Sequence, residues 1–241
     1  MGEEKKRLPV GLENFEQIIN DNYYYVDKTG LISELIRNGG MVNLFTRPRR
    51  FGKTLNMSML EHFFSIERDQ SIFEGLEISK DTKLCEEYMG KYPVISISLK
   101  GINAAAYEDA FDFAVQIMQR TAEEFQFLSD SEYLSEHDKS VYRELLDSNM
   151  SETVFCGGLK ILSKLLEKHY RLKVILLIDE YDVPLAKAFE NGYYEQMIFL
   201  IRNLLEQALK TNNSLKFAVM TGCMRIQMNV MMNILVLRIR K

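Results

Sequence analysis

The chain has 241 residues, of which 46% are hydrophobic and 27% are charged, close to the composition of ordinary globular proteins. This composition excludes a wholly disordered chain, because such a chain lacks the apolar residues that offset the entropy lost on folding. Thirty basic residues against 34 acidic ones give a formal net charge of −4, so no overall basic field indicates nucleic-acid binding.

Apolar segments within the body of the chain are short. The longest, residues 174–178, lies far below the roughly 20 residues that a membrane-spanning helix needs, so no membrane partner is expected. The N-terminal segment carries charged residues but lacks the apolar core of a secretory signal. The cysteines are dispersed without a disulfide or metal-binding pattern, and we therefore expect a cytoplasmic protein.

Short apolar runs alternate with longer amphipathic stretches, which predicts an α/β fold with a mainly parallel sheet flanked by helices. In chain order, the pattern predicts helices over 12–20 and 30–38, a strand over 41–45, a helix over 53–66, a strand over 93–99, helices over 105–128, 131–148 and 152–169, a strand over 174–178, a helix over 193–209 and a strand over 215–220. Residues 129–131 are expected to separate and cap two of these helices. Because parallel strands end at one edge of the sheet, ligands are expected beyond that edge.

The loop between the first strand and the following helix, residues 46–54, has the sequence TRPRRFGKT. Its last three residues, Gly52, Lys53 and Thr54, stand where backbone N–H groups and a helix N-terminus attract phosphate oxygens. We expect the Lys53 ammonium to reach the β- and γ-phosphates of a nucleotide and the Thr54 hydroxyl to bind Mg²⁺. This segment therefore predicts a phosphate-binding loop.

The loop departs from the complete phosphate-loop pattern, which has a glycine at the position of Arg47. The tripeptide alone is equally compatible with an ordinary helix start, so this motif by itself leaves nucleotide binding open. Arg50 and Phe51 complete the candidate nucleotide-binding segment. The arginine cluster of Arg47, Arg49 and Arg50 is the densest basic feature of the chain. It suits phosphate contacts, from a nucleotide or from nucleic acid, and it equally suits pairing with Asp182 and neighbouring carboxylates.

Two carboxylates follow the most apolar predicted strand. Asp179 and Glu180 come directly after residues 174–178, at the edge where a parallel sheet has its ligand crevice. In a P-loop ATPase the first such carboxylate holds Mg²⁺, usually through water, and the second polarises the attacking water. An isolated pair of carboxylates could merely cap the strand. Because the loop and the carboxylates occur together and in the required order, they predict ATP and Mg²⁺ binding, with Thr54 and Asp179 as metal-binding residues and Glu180 as a catalytic residue.

The last predicted strand is followed by Thr221. In ATPases with an extra strand between the two motifs, this position senses the γ-phosphate, and Arg225 is a candidate second contact with a catalytic role. A strand end and a surface arginine explain the same residues equally well, so both interpretations stay open.

Several longer motifs accompany these residues: LPVG at 8–11, YYVDKT at 24–29, LFTRPRRFGKTLNMSM at 44–59, FEGL at 73–76, YPV at 92–94, LIDEYDVP at 177–184, and Thr221–Gly222 with Arg225. On these motifs, residues 8–226 resemble a bacterial AAA-ATPase-like family whose longer members carry a C-terminal nuclease domain of the PD-(D/E)XK superfamily. The arginine-rich loop belongs to that family's pattern. The resemblance implies a P-loop NTPase-like fold, here incomplete at its C-terminus, with ATP at Gly52, Lys53 and Thr54 and hydrolysis through Asp179 and Glu180.

The expected function is MgATP binding and ATP hydrolysis coupled to an unassigned activity, for which an action on DNA is one candidate. The resemblance implies DNA or a nuclease domain as a partner in longer relatives, whereas no nuclease activity is expected from this chain. Two alternatives stay open: a nucleotide-dependent switch without efficient turnover, and a remnant of a disrupted gene. The sequence assigns no oligomeric state.

The resemblance ends at Ile226. Relatives continue with a segment similar to YDEYFGFT, whereas residues 227–241 have the sequence QMNVMMNILVLRIRK. One back-translation of this tail, read one base earlier, encodes SDECYDEYFGFTDKE, which contains the family segment. We therefore expect a P-loop domain over residues 1–226, an out-of-frame tail over 227–241 that results from a deletion with a frameshift or from a sequencing error, and no nuclease domain.

The coding DNA downstream of the Ile226 codon tests this expectation. We expect its codons to encode the family segment in the frame one base earlier. Sequencing of an independently amplified genomic fragment measures this directly. Codons that cannot encode YDEYFGFT in the alternative frame would contradict the hypothesis and make residues 227–241 a genuine part of the protein.

Overall fold

The computed structural model describes residues 6–223 and the backbone of residues 238–240. Within these residues the strands are β1 (Val42–Thr46), β2 (Val94–Ser98), β3 (Val174–Asp179), β4 (Leu215–Gly222) and β5 (Arg238–Arg240). They form one parallel sheet in the order β2–β3–β4–β1–β5. The predicted α/β fold with a mainly parallel sheet is therefore confirmed, and each predicted strand is present.

Helices cover both faces of this sheet. They are α1 (Phe15–Asn20), α2 (Gly30–Asn38), α3 (Lys53–Phe64), α4 (Thr82–Tyr88), α5 (Tyr107–Glu123), α6 (Glu136–Leu145), α7 (Glu152–Tyr170), α8 (Val183–Asn191) and α9 (Tyr194–Leu209). Buried residues of α1–α4 form one apolar cluster with one face of the sheet. Those of α5–α9 form a second cluster with the opposite face. The fold thus has three layers with the sheet in the middle.

Strand β3 shows why the sheet needs apolar residues at successive positions. Val174, Leu176 and Ile178 belong to the cluster of α5–α9, whereas Ile175 and Leu177 belong to that of α1–α4. Successive side chains of a strand point to opposite faces, and here both faces are covered. All of these side chains are fully buried. The uninterrupted apolar run is therefore the pattern of a strand in the middle layer.

The cap predicted at residues 129–131 is wrong, because Ser135 caps α6. The Ser135 hydroxyl accepts a hydrogen bond from the Asp138 N–H, and the Asp138 carboxylate accepts one from the Ser135 N–H. This reciprocal capping box satisfies two backbone donors that a helix start leaves unpaired. Ser131 instead forms a side-chain hydrogen bond with His169. A capping box therefore determines the start of α6, and the earlier serine contacts α7.

The hydrophobic periodicity does not predict two short helices, α4 and α8. Helix α4 begins after Asp81, whose side chain accepts a hydrogen bond from the Leu84 N–H. Helix α8 has Pro184 in its first turn and is followed directly by Gly192, which has a left-handed φ of 84°. Proline near a helix start and glycine just past its end are boundary signals, so these residues, and not hydrophobic periodicity, mark the ends of α8.

No helix within residues 6–223 combines the length and the apolar composition that crossing a bilayer requires. Arg225 and the predicted out-of-frame tail over 227–241, apart from the backbone of β5, lie outside the described residues. The expectations for Arg225 and for the tail therefore stay predictions.

Two adjacent glycines in α7 provide a matched test of how this helix packs. A methyl group on Gly158 would lie 2.8 Å from the Sδ atom and 2.9 Å from the Cε atom of Met118, a fully buried residue of α5. A methyl group on Gly157 would meet only side-chain atoms of Ile161 and Gln207, at 3.4 Å and 3.5 Å. Gly157→Ala is therefore expected to raise the free energy of unfolding by up to about 1 kcal/mol, because alanine favours a helix. Gly158→Ala is expected to lower it by about 1–3 kcal/mol, because the core around Met118 must move.

Urea-unfolding curves of the two variants measure both changes. Opposite signs for the adjacent positions are expected, and equal effects would contradict the close approach of α5 to α7.

Candidate functional site

The carboxyl ends of β1, β3 and β4 meet at one edge of the sheet. Phe45 of β1 pairs with Thr221 of β4, and Ile178 of β3 pairs with Met220 of β4. Strand β4 lies between the other two. The loop after β1, the carboxylates at the end of β3 and Thr221 are therefore neighbours at the edge where a parallel sheet has its crevice.

The loop from β1 to α3 contains two residues with a left-handed backbone, Arg50 with a φ of 67° and Gly52 with a φ of 71°. Gly52 is the N-cap of α3, so the helix begins at Lys53. Left-handed residues occur in concave turns whose successive backbone N–H groups bind anions. Glycine is favoured in this conformation because side chains rarely adopt it. The loop thus has a backbone suited to an anion although Arg50 is not a glycine.

The Lys53 side chain is only 7% exposed and lies against this loop. Its ammonium donates hydrogen bonds to the backbone carbonyls of Arg47 (3.1 Å) and Pro48 (3.2 Å), and it lies 3.2 Å from Cys223 Sγ. A buried charge needs such partners because an unpaired one is costly. These contacts hold a positive charge between the loop and the end of β4.

Asp179 is 5% exposed and is held by two hydroxyl groups from different elements. The Thr54 hydroxyl donates to its Oδ2 atom over 2.8 Å, and the Thr221 hydroxyl donates to its Oδ1 atom. The same Thr221 oxygen accepts a hydrogen bond from the Glu180 N–H (3.3 Å). One network therefore joins the start of α3, the end of β3 and the end of β4.

Glu180 has a left-handed backbone with a φ of 52°, which is uncommon for a residue other than glycine and concentrates at functional sites. Burial raises the pKa of Glu180 above its usual value, and the charge of Asp179 raises it further, while the Lys100 and Lys53 ammonium groups oppose both effects. A carboxylate with a raised pKa in a crevice is a candidate general base.

Two cavities open at this edge, and residues of the loop after β1 line both of them. The smaller, of about 380 Å³, is lined by residues of α2, β1 and α3 together with Arg47, Phe51 and Lys53. The larger, of about 620 Å³, is lined by charged residues of both signs: Glu13, Arg49, Arg50, Lys100, Glu180, Asp182, Lys187 and Glu190. The arginine cluster is therefore divided between the two cavities, and Arg49 and Arg50 face acidic as well as basic neighbours.

The structure brings together most of the residues predicted for the site: Gly52, Lys53, Thr54, Asp179, Glu180 and Thr221. Arg50 and Phe51 border them in the two cavities, and Phe51 is 59% exposed. Arg225 lies outside the described residues, so its role stays a prediction.

Sequence reasoning misses the reason for a glycine at position 222. A methyl group there would lie 2.7 Å from the Tyr181 ring and 2.9 Å from the Asp182 carboxylate, so only glycine fits beside them. The Tyr181 side chain is 1% exposed, and Asp182 accepts a hydrogen bond from the Cys223 N–H (2.8 Å). The motifs at 177–184 and 221–222 contain these residues, but only their contact explains why the two motifs occur together.

Comparison with known proteins assigns the chain to a family. A family model described as predicted AAA-ATPase matches residues 9–232. The chain belongs to this predicted AAA-ATPase family. The resemblance inferred from the motifs is thus confirmed, and with it a P-loop NTPase-like fold.

The chain is also similar to a curated protein from Azotobacter chroococcum mcd 1, which is described as "Uncharacterized protein in vnfD 5'region". It is 27% identical over 228 residues. The match covers 90% of this chain but 37% of the relative, so the chain spans well under half of that protein's length. No solved structure matches the chain.

Thr221 provides a test of the hydrogen-bond network around Asp179. Thr221→Val keeps the side-chain volume but removes the hydroxyl, which deprives the buried Asp179 carboxylate and the Glu180 N–H of one partner each. We expect the free energy of unfolding to fall by about 1–3 kcal/mol, the cost of unsatisfied buried polar groups. Thr221→Ser retains a hydroxyl and is expected to recover most of that loss. Urea unfolding measures both variants, and a Thr221→Val protein as stable as the parent would contradict the network.

Proposed function

We propose that the chain binds ATP together with Mg²⁺ at the carboxyl edge of the sheet and hydrolyses the nucleotide. One observation carries the proposal: the hydrogen bond between Thr54 and Asp179, two residues 125 positions apart that the motifs predict to hold the same metal ion. The buried Lys53 ammonium at the adjacent loop supports phosphate binding, because it provides a fixed positive charge where the phosphates would lie.

The phosphates would be bound by backbone N–H groups and the Lys53 ammonium, which lie together at the start of α3. The N–H groups at Gly52 and at the start of α3 attract phosphate oxygens, because the first N–H groups of a helix have no partner within the helix. Lys53 would exchange the loop carbonyls for phosphate oxygens, to which an ammonium forms stronger hydrogen bonds. Catalysis would then rest on positioning and charge stabilisation, without a covalent intermediate.

Glu180 is the residue proposed to act on the attacking water. Its raised pKa makes its carboxylate a stronger base than an ordinary glutamate, so it accepts a proton or a hydrogen bond from water more readily. Thr221 would be a positioning residue for Asp179 and Glu180, because its hydroxyl contacts the Asp179 side chain and the Glu180 backbone.

The residues present fit a magnesium ion. Mg²⁺ prefers oxygen ligands, and the Thr54 hydroxyl and the Asp179 carboxylate supply two oxygens in contact with each other. When bound, the ion would neutralise charge that develops on the phosphate oxygens.

The family resemblance is the basis for any assignment of the activity to which ATP hydrolysis is coupled. Longer relatives suggest DNA or a nuclease domain as a partner, and the chain covers 37% of the curated relative. The mixed charge of the larger cavity does not favour nucleic acid over another partner.

Lys53 and Glu180 separate nucleotide binding from hydrolysis. Lys53→Ala is expected to weaken MgATP binding at least tenfold, because one charge-assisted phosphate contact is lost. Glu180→Gln is expected to retain MgATP binding while phosphate release slows by roughly a hundredfold or more, because general base catalysis is lost. Calorimetric titration measures binding and a phosphate-release assay measures turnover. Lys164→Ala, which removes an exposed ammonium on α7, is the matched control and should change neither.

Two results would contradict the proposal in different ways. Phosphate release that is equally fast in the parent protein and in Glu180→Gln would overturn hydrolysis and leave a nucleotide-dependent switch. Undiminished MgATP binding by Lys53→Ala would overturn the binding site itself.

A further inference from the structure

The Asp27-Lys28-Thr29 segment contributes no residue to the functions assigned above, although it precedes α2 in a well-defined conformation. The Asp27 carboxylate accepts hydrogen bonds from the Thr29 N–H (2.8 Å), the Thr29 hydroxyl (2.7 Å) and the Glu77 N–H (2.7 Å). Burial opposes ionisation of this carboxyl group, but these hydrogen bonds outweigh it and lower the pKa of Asp27. Asp27 is therefore an ionised anchor between the segment and the turn before α4.

The residues next to Asp27 add further contacts to the same segment. Thr29 is fully buried, and its hydroxyl accepts a hydrogen bond from the Ile78 N–H (3.1 Å). The backbone N–H of Lys28 donates to the Tyr25 hydroxyl (3.3 Å), and the Tyr25 ring packs edge-on against Phe15. The backbone of Lys28 is therefore held by contacts on both sides, while its side chain takes part in none of them.

The Lys28 side chain extends from this anchored backbone to the phosphate loop. Its ammonium nitrogen lies 3.7 Å from the position that a Cβ atom on Gly52 would occupy. Lys28 also lines the smaller cavity, which Lys53 and Thr221 border as well. Within residues 6–223 the Lys28 ammonium has no hydrogen-bond or ion-pair partner. The Lys28 ammonium is thus placed beside the loop without an ion pair to a carboxylate of residues 6–223, although the Glu34 side chain lines the same cavity.

We propose that Lys28 is a second phosphate-binding cation of this site, which contacts the nucleotide phosphates from the side of α2. The inference rests on the proposed ATP binding and adds a residue that lies outside the phosphate-loop motif. An ammonium with no protein partner gives up fewer contacts when it binds a phosphate than Lys53, which must exchange its loop carbonyls. The fixed backbone limits the conformational entropy that Lys28 loses on binding.

The cavity beside Lys28 suits the rest of such a ligand. Its remaining lining is mainly apolar, with the side chains of Leu31, Phe45, Met57 and Leu60, and also includes the polar residues Glu34 and Asn56. A volume of about 380 Å³ lies within the range of small-molecule sites. A base and sugar can therefore occupy an apolar space next to the two ammonium groups, as expected for a ligand with one apolar and one anionic end.

Lys28→Gln tests the inference with two ligands, MgATP and inorganic tripolyphosphate, which carries the phosphates without the nucleoside. The loss of a charge-assisted contact is expected to weaken both ligands by the same factor, roughly ten- to a hundredfold. Lys28→Arg keeps the charge and should recover most of the affinity. Lys83→Gln, at an exposed lysine of α4 outside this cavity, should leave both affinities unchanged. The melting temperature of Lys28→Gln without ligand should equal that of the parent, because the ammonium supports no contact in the fold.

The outcomes distinguish this inference from the proposed function. If the parent binds MgATP and Lys53→Ala does not, but Lys28→Gln binds both ligands as tightly as the parent, the role of Lys28 is overturned and ATP binding stands. Loss of MgATP affinity with undiminished tripolyphosphate affinity would also overturn it, because Lys28 would then recognise the nucleoside. A parent protein that binds neither ligand would overturn both proposals.

Discussion

The buried carboxylate of Asp179 is the interaction on which the geometry of the site depends. A charge that is 5% exposed is tolerated only with hydrogen-bond partners, and Asp179 takes them from the first turn of α3 and from the end of β4. The carboxylate thereby fixes the register between three segments that are distant in the sequence.

The conformational cost of the site is concentrated around this network. Arg50 and Glu180 both adopt a left-handed backbone without being glycines, one in the loop and one directly after the buried aspartate. Each costs free energy relative to an ordinary conformation, and the surrounding packing must compensate. The two apolar clusters supply that compensation, because the residues behind the site, from Val174 to Ile178, are completely buried. A rigid middle layer and a strained edge are what a preorganised site requires.

Local pattern was sufficient to predict the features of the fold that repeat along a strand or a helix. Two examples are the apolar run of β3 and the glycine-lysine-threonine turn at α3. Both could be predicted because burial and backbone geometry over a few residues determine them. The start of α6 could not be predicted in the same way, because the capping box at Ser135 competes with the serine at 131 and only the contact of the latter with His169 decides between them. The position of Lys28 was equally inaccessible, because it depends on hydrogen bonds between Asp27 or Thr29 and residues about 50 positions later.

The hydrogen bonds between Lys53 and its own loop set a minimum strength for the interactions that a ligand must form with this ammonium in order to bind. The ammonium is already satisfied by two neutral carbonyl oxygens and a sulfur, so a ligand must offer a better partner than a peptide group to displace them. An ionised phosphate does so, because a charge-assisted hydrogen bond is roughly twice as strong as a neutral one. Neutral metabolites and weakly charged ones gain little from the exchange. The loop would therefore discriminate against uncharged small molecules by ligand charge alone, independently of ligand shape or base identity.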